Sequence, residues 1–190
     1  MTKFGWTILT VIVLAALAFG SMLSFGSPEA TPVARVASAK PPVQQLMLPV
    51  VGVQPKQLVD TWGQTRGGGS RHHQAIDIVA ARGTPVIAAA PGIVEKLFRS
   101  NAGGITLYVR SPDRAWSYYY AHLAGYAPGM VEGKAVRVGE TLGFVGDTGN
   151  AGTGNTHLHF GIARMGAGDS WYGGEPVNPY PLLATGRMPR

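Results

Sequence analysis

Histidine and aspartate can hold a divalent metal, and histidine moves protons near neutral pH. In this sequence they gather in three separated patches. His73 and Asp77 stand four apart, His122 follows Tyr118-Tyr119-Tyr120-Ala121, and His157 and His159 bracket Leu158. Three neutral or anionic ligands with one open position form the pattern of a catalytic zinc, whereas a structural zinc normally takes four protein ligands. Five candidate groups are more than one ion needs, and the surplus imidazoles suit an acid, a base or an oxyanion partner. Taken singly, each patch also fits a plainer role. His157-Leu158-His159 could be one hydrogen-bonded structural histidine and a coincidence. His73 and Asp77 could be an exposed loop residue and a turn cap, and His122 an incidental residue on an aromatic sheet surface.

The elements that must position these groups read as strands. Residues 155–162 alternate with period two, so Leu158, Phe160 and Ile162 face a core while His157 and His159 project together from the other face beside Gly161. Asp77 lies in Ile76-Asp77-Ile78-Val79, also strand-like. Four extended residues span roughly 13 Å. The chain must therefore bend between His73 and Asp77 if they share an ion, and the lead-in Arg66-Gly67-Gly68-Gly69-Ser70-Arg71 permits it. By the same parity Tyr118, Tyr120 and His122 share a face. Further expected strands are 50–53, then 86–90 and 92–98 joined at Pro91-Gly92. A hairpin is expected from 105–110 and 116–123, and a second, tight one from 136–138 and 142–146 around Gly139-Glu140. Residues 163–171 read as loop, and 177–181 close the domain. His72 reads as a loop residue.

Composition agrees with a turn-rich β protein: 27 glycines and 14 prolines in 190 residues, with Val, Ile, Tyr and Phe in short runs. There is no cysteine, which excludes disulfides and thiolate metal sites. The net charge of +6 and pI near 9.8 come from dispersed single residues such as Lys56, Lys96 and Arg110. No basic run or nucleic-acid module accompanies them, so the charge suits weak attraction to an anionic cell envelope better than nucleic acid. The glycine-rich loop 147–155 lacks the Lys-Ser/Thr and following helix of a phosphate site. Lys3 precedes an uncharged apolar stretch over residues 4–25. Its length suits a membrane anchor, with Trp6 near one interface, and its inner part also suits a cleaved signal. Pro28, Pro32, Pro41 and Pro42 mark a tether after it.

His73-Gln74-Ala75-Ile76-Asp77, Tyr120-Ala121-His122-Leu123 and His157-Leu158-His159 occur in that order. With residues 76–90, 142–150 and Asn178-Pro179 around them, the sequence resembles the lysostaphin-like zinc metallopeptidases, the LytM-domain peptidoglycan endopeptidases. The resemblance covers about residues 50–183. Ala75 stands where glycine is frequent, and Thr156 where proline often precedes the last motif; neither removes a ligand.

The resemblance implies an all-β, mostly antiparallel two-sheet domain with a zinc-containing groove, behind an N-terminal apolar helix and linker. Hydropathy and composition give residues 1–26 as anchor or signal and 27–48 as Pro/Ala-rich linker; the resemblance gives 49–183 as the metallopeptidase domain, leaving 184–190 as tail. One zinc ion is implied on His73, Asp77 and His159, with His122 and His157 as the catalytic pair beside a metal-activated water. His157 is expected as base and His122 as oxyanion donor, roles that could be exchanged. The implied reaction is hydrolysis of peptide cross-links in peptidoglycan stem peptides, with Tyr118 or Tyr120 touching the substrate, in the periplasm or cell envelope at the inner membrane. The competing expectation is a non-catalytic LytM-type regulator that binds and activates another cell-wall hydrolase. Retention of all five groups favours the enzyme.

Overall fold

Short apolar runs cut by glycine and proline fold here as eleven strands; the computed structural model describes residues 45–190. In chain order these are β1 (Thr65–Arg66), β2 (Arg71–His72), β3 (Ile76–Val79), β4 (Pro85–Ile87), β5 (Gly92–Ser100) and β6 (Gly104–Arg110). They continue with β7 (Trp116–Tyr126), β8 (Ala135–Val136), β9 (Thr141–Val145), β10 (His157–Arg164) and β11 (Glu175–Val177). One short helix, α1 (Pro179–Thr185), follows, capped by the Asn178 side chain accepting from the Tyr180 amide. Every strand pairing is antiparallel: β1 and β2 form a small ribbon, and the other nine strands form one branched sheet.

Strand β10 links the strands that carry the histidine–aspartate cluster. One edge pairs with β3 and then β11, the other with β7. Its period-two pattern is as the sequence implies: Leu158, Phe160 and Ile162 are buried, as are Ile76 and Ile78 on β3 and Tyr118 and Tyr120 on β7. Those side chains, with Leu107, Val109, Leu123 and Leu142, make one continuous core. The opposite face of β10 is left for the histidines.

Strand β7 departs from simple alternation at one place. Between the pairs Leu107↔Tyr120 and Ile105↔Leu123, β6 advances two residues and β7 three. The extra residue is a β-bulge, and within it His122 takes φ 60° and donates its amide to the Gly103 carbonyl at 2.8 Å. The bulge turns His122 away from the face that parity assigns it, the core face of Tyr118 and Tyr120. Those two tyrosines are fully buried and do not line the cavity; Tyr119, between them, does.

Other expectations are corrected by the pairing. Residues 50–53 form a turn with a single bridge, Val50↔Val86, because Gly52 adopts φ 83°. The expected tight hairpin at 136–146 is absent: β8 pairs with β5, and β9 pairs with β4 and β7, so the Gly139-Glu140 turn joins strands with separate partners. The strand expected over 86–90 ends at Ile87 and pairs with β9 rather than β5. β10 continues beyond Ile162 to Arg164, paired with β11. The helix α1 was not expected; it runs past residue 183, and the Leu46 amide reaches the Gly186 carbonyl at 3.1 Å just beyond it. Among the described residues no helix is long and apolar enough to cross a membrane. The apolar stretch 4–25 lies outside the described residues.

Two buried tyrosines offer a contrast that tests the core. The Tyr120 hydroxyl accepts the Ala89 amide at 2.9 Å, while the Tyr118 hydroxyl has no partner among the described residues. Tyr120→Phe leaves that amide unsatisfied and should cost about 1–3 kcal/mol. Tyr118→Phe removes an unpaired polar atom and should leave stability within about 0.5 kcal/mol or raise it. Denaturant midpoints of the two variants check the order.

Candidate metal centre

The register of β3 on β10 sets Asp77 directly opposite His159. Directly opposed residues hold their Cβ atoms about 4.5–5.5 Å apart on the same face, close enough for short side chains to meet. His73 reaches the same point because the chain bends after β2, as the spacing required. The three donor atoms converge: His73 Nε2 to His159 Nδ1 is 3.0 Å, His73 Nε2 to Asp77 Oδ1 is 3.1 Å, and His159 Nδ1 to Asp77 Oδ1 is 3.1 Å. Ligands at zinc distances of about 2.0–2.2 Å in a tetrahedron stand roughly 3.3 Å apart. The observed triangle fits one face of such a tetrahedron after a few tenths of an ångström of relaxation. Two imidazoles and a carboxylate suit zinc and leave one position for water or substrate.

Hydrogen bonds outside the triangle fix which atoms face inward. His73 Nδ1–H donates to the Thr61 carbonyl at 2.8 Å, which leaves the Nε2 lone pair free. The Thr61 hydroxyl accepts the Asp77 amide at 3.0 Å, so one residue braces two members of the triangle. Arg66 Nη2 donates to Asp77 Oδ2 at 2.7 Å and holds Oδ1 toward the imidazoles. Burial by itself raises the Asp77 carboxyl, but the imidazoles of His159 and His73 beside it outweigh that and hold it well below the usual carboxylate range. Burial lowers His159, with Asp77 partly opposing, which favours the neutral form that a metal ligand takes.

The other two histidines stand beside the triangle. The ring of His122 lies 4.9 Å from that of His157 and 5.5 Å from that of His159, and His157 Nε2 is 3.6 Å from Asp77 Oδ1. His122 Nδ1–H donates to the Thr148 carbonyl at 2.8 Å and His157 Nδ1–H to the Asn155 carbonyl at 2.9 Å. Both therefore present an Nε2 lone pair. Burial pushes His122 down to about 4, although the Thr148 bond opposes it, so the ring is neutral at pH 7. Thr148 can reach His122 because Gly104 and Gly149 let two loops touch backbone to backbone; a Cβ on either would collide with the other loop.

A cavity runs along both sides of the triangle. One half, about 400 Å³, is lined by Tyr108, Tyr119, Trp171 and Tyr172 with His73 and His159. The other, about 250 Å³, is lined by Arg66, Asp77, His122 and His157 with the same two histidines. Trp171 stacks 5.0 Å from both Phe98 and Tyr108, and its loop is tied down by buried Arg110, which donates to the Ser170 carbonyl at 3.2 Å and to Glu95 at 2.6 Å.

The five residues singled out by spacing are thus neighbours, while His72 lies exposed on β2 with Nδ1 3.2 Å from the Gly63 carbonyl. Thr61, Arg66, Tyr119 and Thr148 were not singled out as site residues. Only Arg66 left a trace in the sequence, as a cation opening a glycine run.

The Thr61 brace leads to a quantitative expectation. Thr61→Val removes the acceptor for the Asp77 amide but keeps the carbonyl that orients His73. Zinc affinity should fall about 10–100-fold, the usual effect of losing such an outer contact. Competition with a chromophoric chelator measures it, and circular dichroism shows whether the fold is retained.

Comparison with known proteins agrees with this geometry. The profile of Peptidase family M23 matches residues 71–179. The L-Ala–D-Glu endopeptidase of Bacillus subtilis (strain 168) is 36% identical over 129 residues, covering 65% of this chain and 38% of that protein. The DD-carboxypeptidase/endopeptidase Mpg of Neisseria meningitidis is 39% identical over 109 residues, 57% of this chain and 22% of its own length. This chain therefore spans well under half of these curated relatives. The catalytic domain of lysostaphin from Staphylococcus simulans superposes with a TM-score of 0.54 at 28% identity, covering 65% of this chain and 88% of that domain. With the matched profile spanning every strand that bears the histidine–aspartate cluster, the chain belongs to peptidase family M23.

Proposed function

We propose that this chain is a zinc-dependent endopeptidase that hydrolyses amide bonds in the peptide cross-links of peptidoglycan. His73, Asp77 and His159 hold the ion, and His122 and His157 handle protons. The observation that carries the reading is the triangle of donor atoms at 3.0–3.1 Å with two further imidazoles beside it, each with Nε2 free. When bound, zinc supplies Lewis acidity to the scissile carbonyl and brings the pKa of water toward ~7. The chain's own groups do the rest. An Nε2 lone pair of His122 or His157 removes the proton from the attacking water, and the resulting imidazolium can stabilise the oxyanion or protonate the leaving amine. An extended peptide lies in the cavity along Tyr108 and Tyr119, with Trp171 over it.

Both curated relatives are named for cutting peptide bonds, which supports a peptide substrate here. Glycan cleavage ordinarily uses paired carboxylates flanking the bond. Among the described residues the only carboxylate lining this centre is Asp77, already committed to His73, His159 and Arg66. Residues 1–26 act as anchor or signal and the Pro/Ala-rich linker after them as tether, up to Leu46, which already packs into the core, so that the domain works in the cell envelope. In directly cross-linked walls the bond is the D,D-cross-link, and glycine bridges are cut only where a wall contains them.

His73→Ala, Asp77→Ala and His159→Ala should lose bound zinc. His122→Ala and His157→Ala should keep it and lose roughly 10²–10⁴-fold in rate. Metal analysis beside digestion of purified peptidoglycan decides this: full activity in the last two variants refutes the proton-handling role. Release of sugar reducing ends with intact cross-links refutes the reaction. Chelator should stop the cut and added zinc restore it.

The topology is tested separately. Full-length protein should stay in the membrane fraction with its C-terminal domain outside the cytoplasm. A mature N-terminus near Ser21 would instead identify a cleaved signal.

A further inference from the structure

The two halves of the cavity share three residues: His73, His159 and Arg71. A chain lying across the cluster from one half to the other therefore passes the Arg71 guanidinium. Arg71 ends the glycine-rich lead-in, opens β2 and is exposed. The other charges around it are committed. Arg66 gives Nη2 to Asp77 Oδ2, and Asp77 Oδ1 faces His73, His157 and His159. Among the described residues Arg71 pairs with no carboxylate. With the Asn150 amide turned so that its nitrogen donates to the Ala102 carbonyl at 2.7 Å, its oxygen accepts from Arg71 Nη2 at 3.2 Å. That partner is neutral and occupies one arm of a five-donor fork. An uncompensated cation thus stands where the substrate must cross.

We propose that Arg71 is a specificity-determining residue: it docks a free carboxylate of the peptide beside the scissile amide, and the site favours anionic stem peptides over amidated ones. The inference rests on the endopeptidase reading and deepens it. The planar guanidinium matches a carboxylate with two parallel hydrogen bonds, which an amide cannot mirror because its nitrogen is itself a donor. Position matters as much as charge: a carboxylate held at Arg71 fixes the peptide next to both His73 and His159. Glycine bridges carry no side-chain carboxylate and gain nothing from this contact. The arginine therefore separates acidic stem peptides from glycine bridges as substrates.

The test uses the full chain, zinc-loaded, and two synthetic cross-linked peptides that differ only in whether the carboxylates flanking the scissile amide are free or carboxamides. The wild type should prefer the free acid by about tenfold in kcat/KM, the scale of one well-placed charged hydrogen bond. Arg71→Gln should bring the ratio near one, acting through KM rather than kcat, and Arg71→Lys should retain part of it. A wild type that treats the two peptides alike overturns the proposal, as does an Arg71→Gln variant that lowers kcat equally on both. Titration calorimetry of the same peptides against the metal-free full chain reads the preference without turnover. If the wild type cuts neither peptide, the endopeptidase reading falls. Tighter binding of the free acid that disappears in Arg71→Gln still upholds the arginine's role, and equal or absent binding overturns it.

Discussion

The antiparallel register between β3 and β10 is the constraint on which the rest depends. It places Asp77 opposite His159, and the core holds it there. Ile76 and Ile78 on one strand and Leu158, Phe160 and Ile162 on the other are all buried on the far face. A slip of one residue would exchange the faces of a strand, exposing its apolar side chains and burying its polar ones. Each fully buried aliphatic or aromatic side chain contributes about 1.5–3 kcal/mol, so several together outweigh any single hydrogen bond within the triangle. The geometry of the triangle is thus fixed mainly by side chains that never touch it. Chemistry sits on one face of the sheet because the other face is oil.

The second device is the change of partner along β7. Up to Ala121 it pairs with β10; from Leu123 onward it pairs with β9. His122 falls at the junction, where the bulge frees its side chain and the loop carrying Thr148 supplies a carbonyl for its Nδ1. The Thr148 hydroxyl bonds the Leu123 carbonyl and accepts the Ile105 amide, so the residue orienting the imidazole is itself locked to both strands. Thr61 does the corresponding work for His73 and Asp77. Each inward-facing group is oriented by something behind it, a condition for holding a reactive geometry within fractions of an ångström.

What was legible in the sequence was the short-range pattern. Alternation in residues 157–162 separates core from site by parity alone, and the bend between His73 and Asp77 follows from strand length. The hairpin of β6 and β7 was visible because its turn, Ser111-Pro112-Asp113, interrupts two β-rich runs. Pairings made at long range were not visible. The Gly139-Glu140 turn looks like a hairpin locally, yet β8 and β9 find better partners in β5, β4 and β7. The bulge at His122 leaves no mark, since Ala121-His122-Leu123 continues the alternation on paper; parity therefore put Tyr118 and Tyr120 on the face of His122 and gave them the substrate contact, whereas both are buried in the core. Thr61 and Thr148 orient His73 and His122 through backbone carbonyls, which every residue has.

The backbone at His122 carries a consequence for how such a domain changes over generations. A non-glycine residue held at φ 60° costs on the order of 1–3 kcal/mol, and glycine at the same place does not incur it. A domain of ordinary stability has only about 5–15 kcal/mol in total. With the proton-handling role proposed for His122, selection for a sturdy fold and selection for turnover pull this one codon in opposite directions. While the chemistry is needed, the histidine persists against the fold's own preference. In a lineage where only the shape of the domain is still useful, a change to glycine would relieve the backbone at this place, and decay of the site has a point at which to begin.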